Sequence, residues 1–264
     1  MNGGRTGPGL LAGRGVLRRL GGVAVVDGVD LAVRPGRVTA LVGPNGAGKS
    51  VLLDCLSGLA RPDGGRILLD ERDITRAPCH RRARLGVART FQQVAVFPEL
   101  TVAENVQVGA EQPRPTGAGG TMAGGGPPGG DAVPGAAVPA AVAVRQRVAG
   151  SLHLLGLTPL AARPAGDLPL GVLRLVELAR ALAGSPRVLL VDEVSVGLDA
   201  GQVAWVARVL ALVAREGAGV LLVEHDLGLV SRLAELAYVL DGGRVVTAGP
   251  IERVLSDQRV RRLW

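Results

Sequence analysis

The run of residues with the clearest chemical meaning is rich in glycine and ends in a lysine and a serine. Its spacing, G-x-x-x-x-G-K-S, covers Gly43, Pro44, Asn45, Gly46, Ala47, Gly48, Lys49 and Ser50. Such a loop turns its backbone N–H groups inward around phosphate oxygens, and a following helix adds the positive end of its dipole. The spacing predicts that Lys49 reaches the β- and γ-phosphates of a nucleoside triphosphate, ATP before others, and that Ser50 ligates Mg²⁺. The alternative is a glycine-rich turn without a ligand.

Acidic and imidazole side chains follow two apolar runs further along the chain. Residues 188–191 lead into Asp192 and Glu193, and residues 220–223 are soon followed by His225. Beside a phosphate loop, such an aspartate can hold Mg²⁺ through water, and the glutamate can polarise the attacking water. His225 would donate to the γ-phosphate or position the water. The alternatives are a strand that enters a turn and a structural histidine.

The elements that must position these residues are those of an α/β fold with a mainly parallel sheet. Short β-branched runs alternate with longer helical periods, as in that fold class. The pattern predicts strands at 38–42, 188–191 and 220–223, helices at 49–59, 144–155 and 172–182, and a hairpin at 238–247. Open α/β sheets bind ligands at the carboxyl ends of their strands, so Asp192, Glu193 and His225 are expected beside the loop.

Charge composition does not point to a nucleic-acid partner. The 264 residues carry 30 basic and 23 acidic side chains, a net charge of +7, and the arginines are spread along the chain. A solvated basic face explains this balance better than a nucleic-acid site does. Lys49 is the only lysine among the basic residues, which favours a chemical reason for its presence.

Targeting and cysteine patterns indicate a cytoplasmic protein. No apolar stretch approaches the roughly 20 residues of a membrane-spanning helix, and the glycine-rich start differs from a secretory signal. Cys55 and Cys79 lack metal-ligand spacing, and Cys55 is interpreted as a small core residue.

Two segments rich in small residues are predicted to be disordered or flexible. Residues 1–13 are interpreted as an N-terminal tail. Residues 111–139 consist largely of Gly, Pro and Ala, with almost no large apolar side chain to anchor them, and are interpreted as a flexible insertion.

Together these features resemble the ATP-binding subunit of an ABC transporter over residues 17–255. Arg89-Thr90-Phe91-Gln92 matches the Q-loop of that family, and Ser195-Val196-Gly197-Leu198-Asp199 looks like its D-loop. His225 falls at the position of the switch histidine. The resemblance implies that Gln92 contacts Mg²⁺ and the attacking water, and that Asp199 faces a partner subunit.

The resemblance also implies an organisation and a cellular role. A P-loop NTPase domain of ABC type would span residues 14–255, with an antiparallel β subdomain, an inserted helical subdomain at about 93–183, and a short tail at 256–264. The chain would be an ATPase that energises an importer on the inner face of the cell membrane. Its partners would be a second ATPase subunit, two integral membrane permeases and, indirectly, a solute-binding protein.

Three runs narrow the resemblance to one subfamily. Residues 20–27, 86–93 and 97–105 look like the ATPases of branched-chain amino acid importers, and a variable insertion after them is also similar. Closely related systems carry urea or short amides, and these substrates stay open.

Some positions depart from the family pattern near the nucleotide. Leu20 stands where an aromatic ring is expected to stack on adenine, so we expect weaker adenine affinity. Val51 replaces the hydroxyl residue that touches the α-phosphate, and Val194 replaces a proline.

The signature motif is the most altered element, with Leu168-Pro169-Leu170-Gly171-Val172 in place of a Leu-Ser-x-Gly-Gln pattern. Pro169 suits a helix start but removes a hydroxyl and a backbone N–H, whereas Gly171 still lets a phosphate approach backbone donors. ABC subunits hydrolyse ATP between two chains, so this loss falls on the partner's nucleotide. We expect an asymmetric pair with an intact relative, and two weakened sites in a homodimer.

Two other functions are compatible with the sequence. One is a degenerate nucleotide-binding subunit that regulates or assembles a transporter with little hydrolysis of its own. The changes at Leu20, Pro169 and Val172 favour it, and the retained Glu193 and His225 argue against it. The other is an ABC-type protein acting on nucleic acid or ribosomes, which only the net charge suggests and which usually has tandem cassettes.

Overall fold

A computed structural model describes residues 10–112 and 139–263, which form helices around two β-sheets. Within these ranges the strands are β1 (Leu11–Leu20), β2 (Val23–Val33), β3 (Val38–Val42), β4 (Gly64–Leu69), β5 (Arg72–Asp73), β6 (Val87–Arg89), β7 (Val188–Asp192), β8 (Gly219–Val223), β9 (Leu236–Asp241) and β10 (Arg244–Pro250). The helices are α1 (Lys49–Ser57), α2 (Cys79–Arg84), α3 (Val102–Ala110), α4 (Ala140–Leu154), α5 (Leu170–Ala183), α6 (Ala200–Arg215), α7 (Leu227–Leu233), α8 (Ile251–Ser256) and α9 (Gln258–Arg261). Short 3₁₀ helices lie at Thr158–Leu160 and Ala165–Asp167. None of the described helices is long and apolar enough to span a membrane.

The larger sheet has the strand order β10-β9-β3-β8-β7-β6 in the described part of the chain. Its pairs are parallel apart from the hairpin β9–β10. The smaller sheet, β2-β1-β4-β5, is antiparallel throughout. The expected fold class, a mainly parallel core sheet with an antiparallel β subdomain, is confirmed.

The central strands are apolar because both of their faces are covered. Strands β3, β7 and β8 are buried along their whole length, as parallel strands between two layers must be. They lie side by side, with Leu41 and Asp192 both opposite Val223. The carboxyl ends of the three strands therefore meet at one edge, and the predicted chemical residues follow them there.

The predicted hairpin is confirmed and also supports the phosphate loop. Asp241 pairs with Arg244 around Gly242 and Gly243, and the N–H of Gly243 donates to the carbonyl of Ala47 over 3.1 Å. The hairpin thus contacts a loop that lies far away in sequence.

Helices α3, α4 and α5 lie between β6 and β7 in sequence and pack on one another. A capping box of Thr101 and Glu104 starts α3. Asn105 is buried and binds the backbone of Phe97 through both of its amide atoms. The capping box and the Asn105 contacts give a structural role to several residues of the sequence run 97–105.

The structure corrects several predicted boundaries. The prediction of a tail over residues 1–13 is wrong at its end, because Leu11 and Ala12 are fully buried in β1. Helix α1 ends at Ser57 rather than at residue 59, with Gly58 as its C-cap. The C-terminal tail contains α9, which buries Val260 in the core. Most of the predicted insertion, residues 113–138, lies outside the described residues.

Candidate nucleotide site

The phosphate loop follows β3, and its glycines allow close backbone approach. Gly43 and Gly48 have φ of 154° and 100°. A Cβ at Gly43 would lie 2.0 Å from the carbonyl oxygen of Leu240, and one at Gly48 would lie 2.3 Å from that of Val25. Any side chain at either position would collide with backbone that cannot yield, so the loop conformation requires glycine.

Lys49 begins α1 and is buried at the loop. Its Nζ donates to the carbonyl oxygens of Gly43 at 2.7 Å and Pro44 at 3.0 Å. Burial lowers the pKa of Lys49, and the nearby carboxylates of Glu193 and Asp192 oppose that shift. The ammonium is therefore already directed to the loop that would hold phosphates.

Asp192 is the last residue of β7, and its carboxylate is only partly satisfied. Oδ2 accepts from Nη2 of Arg89 at 3.2 Å, whereas the buried Oδ1 has no hydrogen-bond partner among the described residues. Burial raises the pKa of Asp192, and the Arg89 guanidinium opposes that shift. A cation that shares this oxygen directly or through water would offset the cost of burying the carboxylate.

Glu193 lies immediately after β7 in an unusual backbone conformation. Its φ of 46° is left-handed, which costs a non-glycine residue about 1–2 kcal/mol. Its N–H donates to the carbonyl of Val223 at 2.9 Å. Strain of this kind clusters at functional sites, and Glu193 lines the same pocket as the phosphate loop.

The other two predicted catalytic residues, Gln92 and His225, line the same pocket as Glu193. Nε2 of Gln92 donates to Oε2 of Glu193 at 3.2 Å. His225 follows β8 and is largely exposed, with Nδ1 4.0 Å from the buried carboxylate of Glu224.

One pocket of about 670 Å³ brings most of the predicted site together. It is lined by the whole predicted loop with Val51, by Gln92, Glu193 and His225, and by Val25 and Leu263. Leu20 is not among the lining residues and is 47% exposed. Val25 and Leu263 belong to no recognisable motif, so their place in the lining of the pocket was not predicted.

Gly171 and Asp199 lie outside this pocket. Asp199 caps α6 and forms a capping box with Gln202, a structural role that its D-x-x-Q spacing could have indicated. A Cβ at Gly171 would lie 2.5 Å from the carbonyl oxygen of Gly197, so the start of α5 abuts the segment before Asp199. Their roles toward a partner's nucleotide stay predictions.

Two buried charges on α5 bind the backbone next to Gln92 and were not predicted. Arg174 donates to the carbonyl oxygens of Phe91 and Gln92, and Glu177 accepts from the N–H of Phe91 at 3.0 Å. Burial raises the pKa of Glu177. The available signal was a pair of charges three residues apart on an apolar helix face.

Glu224 is a third buried charge that sequence reasoning missed. Its carboxylate accepts from the N–H and the hydroxyl of Ser195, both at 2.9 Å. Burial raises the pKa of Glu224. Glu224 directly precedes His225, so its hydrogen bonds connect the backbone next to His225 with Ser195, where the segment leading to Asp199 begins.

The donor set fits Mg²⁺ held partly by nucleotide. Among the described residues no group of three or more His, Cys, Asp or Glu could hold a metal alone. Ser50 and Gln92 line the pocket, and the unpartnered Oδ1 of Asp192 lies at the adjacent strand end. Oxygen donors with phosphate oxygens completing the shell are the arrangement that Mg²⁺ prefers.

Comparison with known proteins defines the class of this fold and site. The sequence model described as "ABC transporter" matches residues 26–196. The chain belongs to this family, and it is an ABC-type ATPase.

Individual relatives cover nearly the whole chain. The high-affinity branched-chain amino acid transport ATP-binding protein LivG of Salmonella typhimurium is 34% identical over 256 residues, 97% of each chain. BraF of Pseudomonas aeruginosa, with the same description, is 34% identical over 251 residues, 95% of each chain. A solved ADP conformation of an ABC transporter cassette superposes with a TM-score of 0.77 at 27% identity, covering 96% of this chain and 97% of that one. The predicted resemblance is confirmed.

Proposed function

We propose that this chain binds MgATP and hydrolyses it to power import of branched-chain amino acids or related small polar solutes. The observation that carries the proposal is the pocket that the phosphate loop shares with Gln92, Glu193 and His225. One cavity thus contains groups that can hold phosphates and groups that can orient a water molecule.

Each residue has a distinct chemical task in this proposal. Lys49 and the loop N–H groups hold the phosphates, and Ser50 and Gln92, with Asp192 through water, would hold Mg²⁺, which neutralises phosphate charge when bound. Glu193 polarises the attacking water, and its hydrogen bond to Gln92 fixes the direction of its carboxylate. His225 donates to the γ-phosphate or positions the water.

The complete site would form between two ATPase subunits. Gly171 and Asp199 would then act toward the partner's nucleotide, which agrees with their absence from the lining of the pocket described in their own chain. Pro169 offers no side-chain oxygen to that nucleotide. A pair with an intact relative would have one strong and one weak site.

Substrate and location are inferred from the relatives. LivG and BraF are described as branched-chain amino acid transport proteins, which supports leucine, isoleucine and valine as the first candidates. The chain would bind two membrane permeases on the inner face of the cell membrane, and would serve a solute-binding protein through them.

Glu193→Gln separates the hydrolysing subunit from a degenerate one. Loss of a general base lowers turnover by about 10²- to 10⁴-fold, while affinity for a non-hydrolysable ATP analogue should persist. The control is Glu216→Gln, which changes an exposed carboxylate after α6. Equal turnover in wild type and Glu193→Gln would favour the degenerate regulatory subunit.

Reconstitution tests the substrate class. Proteoliposomes with the two permeases, this chain and its second ATPase would be assayed for ATP-dependent uptake of labelled leucine and urea. Leucine uptake that Glu193→Gln abolishes supports the proposal, whereas uptake of urea alone would redirect it.

A further inference from the structure

The guanidinium of Arg89 lies between two carboxylates that belong to different elements. Nη1 donates to Oδ1 of Asp54 at 2.5 Å and to the hydroxyl of Ser57 at 3.2 Å. Nη2 donates to Oδ2 of Asp192 at 3.2 Å. The Arg89 side chain is 8% exposed, and that of Asp192 is fully buried. One buried cation therefore joins the phosphate-loop helix α1 to the end of β7.

The position of Asp54 on α1 gives this bridge a geometric consequence. Asp54 follows Ser50 by four residues in the same helix, so the two side chains share one helix face one turn apart. Arg89 ends β6, which pairs in parallel with β7. Arg89 contacts Asp54 on one side and Asp192 on the other, so it joins the helix that carries Ser50 to the strand that ends in Asp192.

The same bridge leaves one oxygen of Asp192 free. Oδ2 is occupied by Arg89, and Thr90 accepts the backbone N–H of Asp192 at 3.1 Å. The buried Oδ1 has no hydrogen-bond partner in the described ranges. Arg89 and Thr90 thus orient Asp192, and neither of them contacts its Oδ1 atom.

A purely stabilising ion pair is a poor explanation for this arrangement. Burying charges costs several kcal/mol per ion, and well-packed apolar residues often serve stability as well or better. Two carboxylates also share one guanidinium, so Arg89 alone does not balance the charges of both Asp54 and Asp192.

We propose that Arg89 is a positioning residue that sets the spacing of two Mg²⁺ ligands, Ser50 and Asp192. The inference rests on the Mg²⁺ site of the proposed function. Arginine suits the task because its planar fork can hold two carboxylates at once, whereas the lysine ammonium is a point charge on a flexible stem.

The test measures metal binding directly. Mn²⁺ binding to the whole chain with a non-hydrolysable ATP analogue would be followed by electron paramagnetic resonance. Arg89→Met should weaken Mn²⁺ binding by about 10- to 100-fold, the usual effect of losing a group that orients a ligand. Analogue affinity in EDTA should stay unchanged, because Arg89 is not among the pocket residues. Arg89→Lys should lie nearer to Arg89→Met than to wild type.

A double-mutant cycle distinguishes positioning from general damage. Asp54→Asn should also weaken Mn²⁺ binding although Asp54 is not a ligand, and it should add nothing in the Arg89→Met background. The control, Arg187→Met, removes another ion pair next to β7, with Asp70 at 2.8 Å, and should leave Mn²⁺ binding unchanged.

The outcomes separate this inference from the proposed function. Equal Mn²⁺ binding by wild type and Arg89→Met, or additive effects in the cycle, would overturn the spacing role alone. If Arg89→Met does not fold, Asp54→Asn decides, since unchanged Mn²⁺ binding there contradicts the proposal. A wild-type chain that binds the analogue but no Mn²⁺ would refute the Mg²⁺ site itself, and this inference with it.

Discussion

The side-chain amide of Gln92 donates a hydrogen bond to Glu193 across 3.2 Å. The two residues follow β6 and β7, which are parallel neighbours, so adjacent strand ends deliver them to one place. The backbone carbonyl of Gln92 is in turn bound by Arg174 on α5. The direction of the Glu193 carboxylate therefore depends on where α5 lies.

Replacing Gln92 by alanine should reduce turnover more than binding. The change frees the Glu193 carboxylate to rotate, and misdirected general bases lose about 10²-fold or more in rate. We expect a lower kcat with retained affinity for a non-hydrolysable ATP analogue, measured by steady-state kinetics and calorimetry. Gln93→Ala, at the adjacent exposed position, is the control, and equal kcat values for both variants would contradict the prediction.

Gly48→Ala should destabilise the chain even without nucleotide. Gly48 has φ of 100°, and a Cβ there would lie 2.3 Å from the carbonyl oxygen of Val25. Strain and overpacking together should lower the free energy of unfolding by about 3 kcal/mol or more. Gly46→Ala shares the left-handed backbone, but its Cβ meets nothing within 4 Å, so about 1 kcal/mol is expected. Urea denaturation of both variants measures the difference, and equal losses would refute it.

Arg82→Met should unfold more easily than Arg81→Met. Arg82 is 1% exposed and donates to the carbonyl oxygens of Cys55 and Leu56, each at 2.7 Å, at the end of α1. Its loss leaves buried acceptors without donors, which costs about 1–3 kcal/mol for each. Arg81 is exposed, and its replacement should change the free energy of unfolding by less than about 0.5 kcal/mol. Equal midpoints in denaturant would show that the carbonyls find other donors.

Pro169→Ser should stabilise the N-terminus of α5 and raise the activity of the site that this segment would complete for a partner's nucleotide. Pro169 is the N-cap of α5 and makes no side-chain capping bond, whereas a serine cap adds about 0.5–2 kcal/mol over alanine. The comparison is with Pro169→Ala, which removes the ring without supplying a hydroxyl. We expect the serine variant to be the more stable in urea and the more active as a homodimer. A homodimer equally active with alanine would exclude a role for the hydroxyl.

Glu224→Gln should change how stability depends on pH. Burial raises the pKa of Glu224 above its ordinary 4.5. Between 4.5 and this raised pKa, the folded chain therefore holds a proton that the unfolded chain has released. This proton-linked stabilisation is fully present below the unfolded pKa and is lost as pH rises through the folded pKa. Wild type should therefore gain stability relative to Glu224→Gln as pH falls toward 4.5. Thermal melts of both chains measure the difference, and parallel curves would contradict it.

Residues that follow apolar strands could be placed from the sequence. The sequence predicts the strand at 38–42 to the residue, and it places Asp192, Glu193 and His225 at the carboxyl ends of two further strands. Burial on both faces leaves a continuous apolar run, which is easy to recognise. The family pattern then identified Gln92.

Buried charges could not be placed in this way. Arg82 and Arg174 bind backbone carbonyls of distant segments, and no sequence spacing records such partners. The start of β1 is not recognisable in the sequence, because the glycines around Leu11 and Ala12 interrupt the apolar pattern of a strand. Leu11 packs in an apolar cluster with residues from distant parts of the chain, and β1 pairs with β2 and β4.

The contacts of the phosphate loop also imply an order of events during synthesis. The loop sequence is complete at Ser50, but the backbone against which it packs includes Leu240 and Gly243. During translation, the ribosome synthesises the loop motif long before it synthesises Leu240 and Gly243. A nascent chain that ends before residue 240 therefore carries the loop motif without this supporting backbone, and the loop gains its support only after the β9–β10 hairpin has been made.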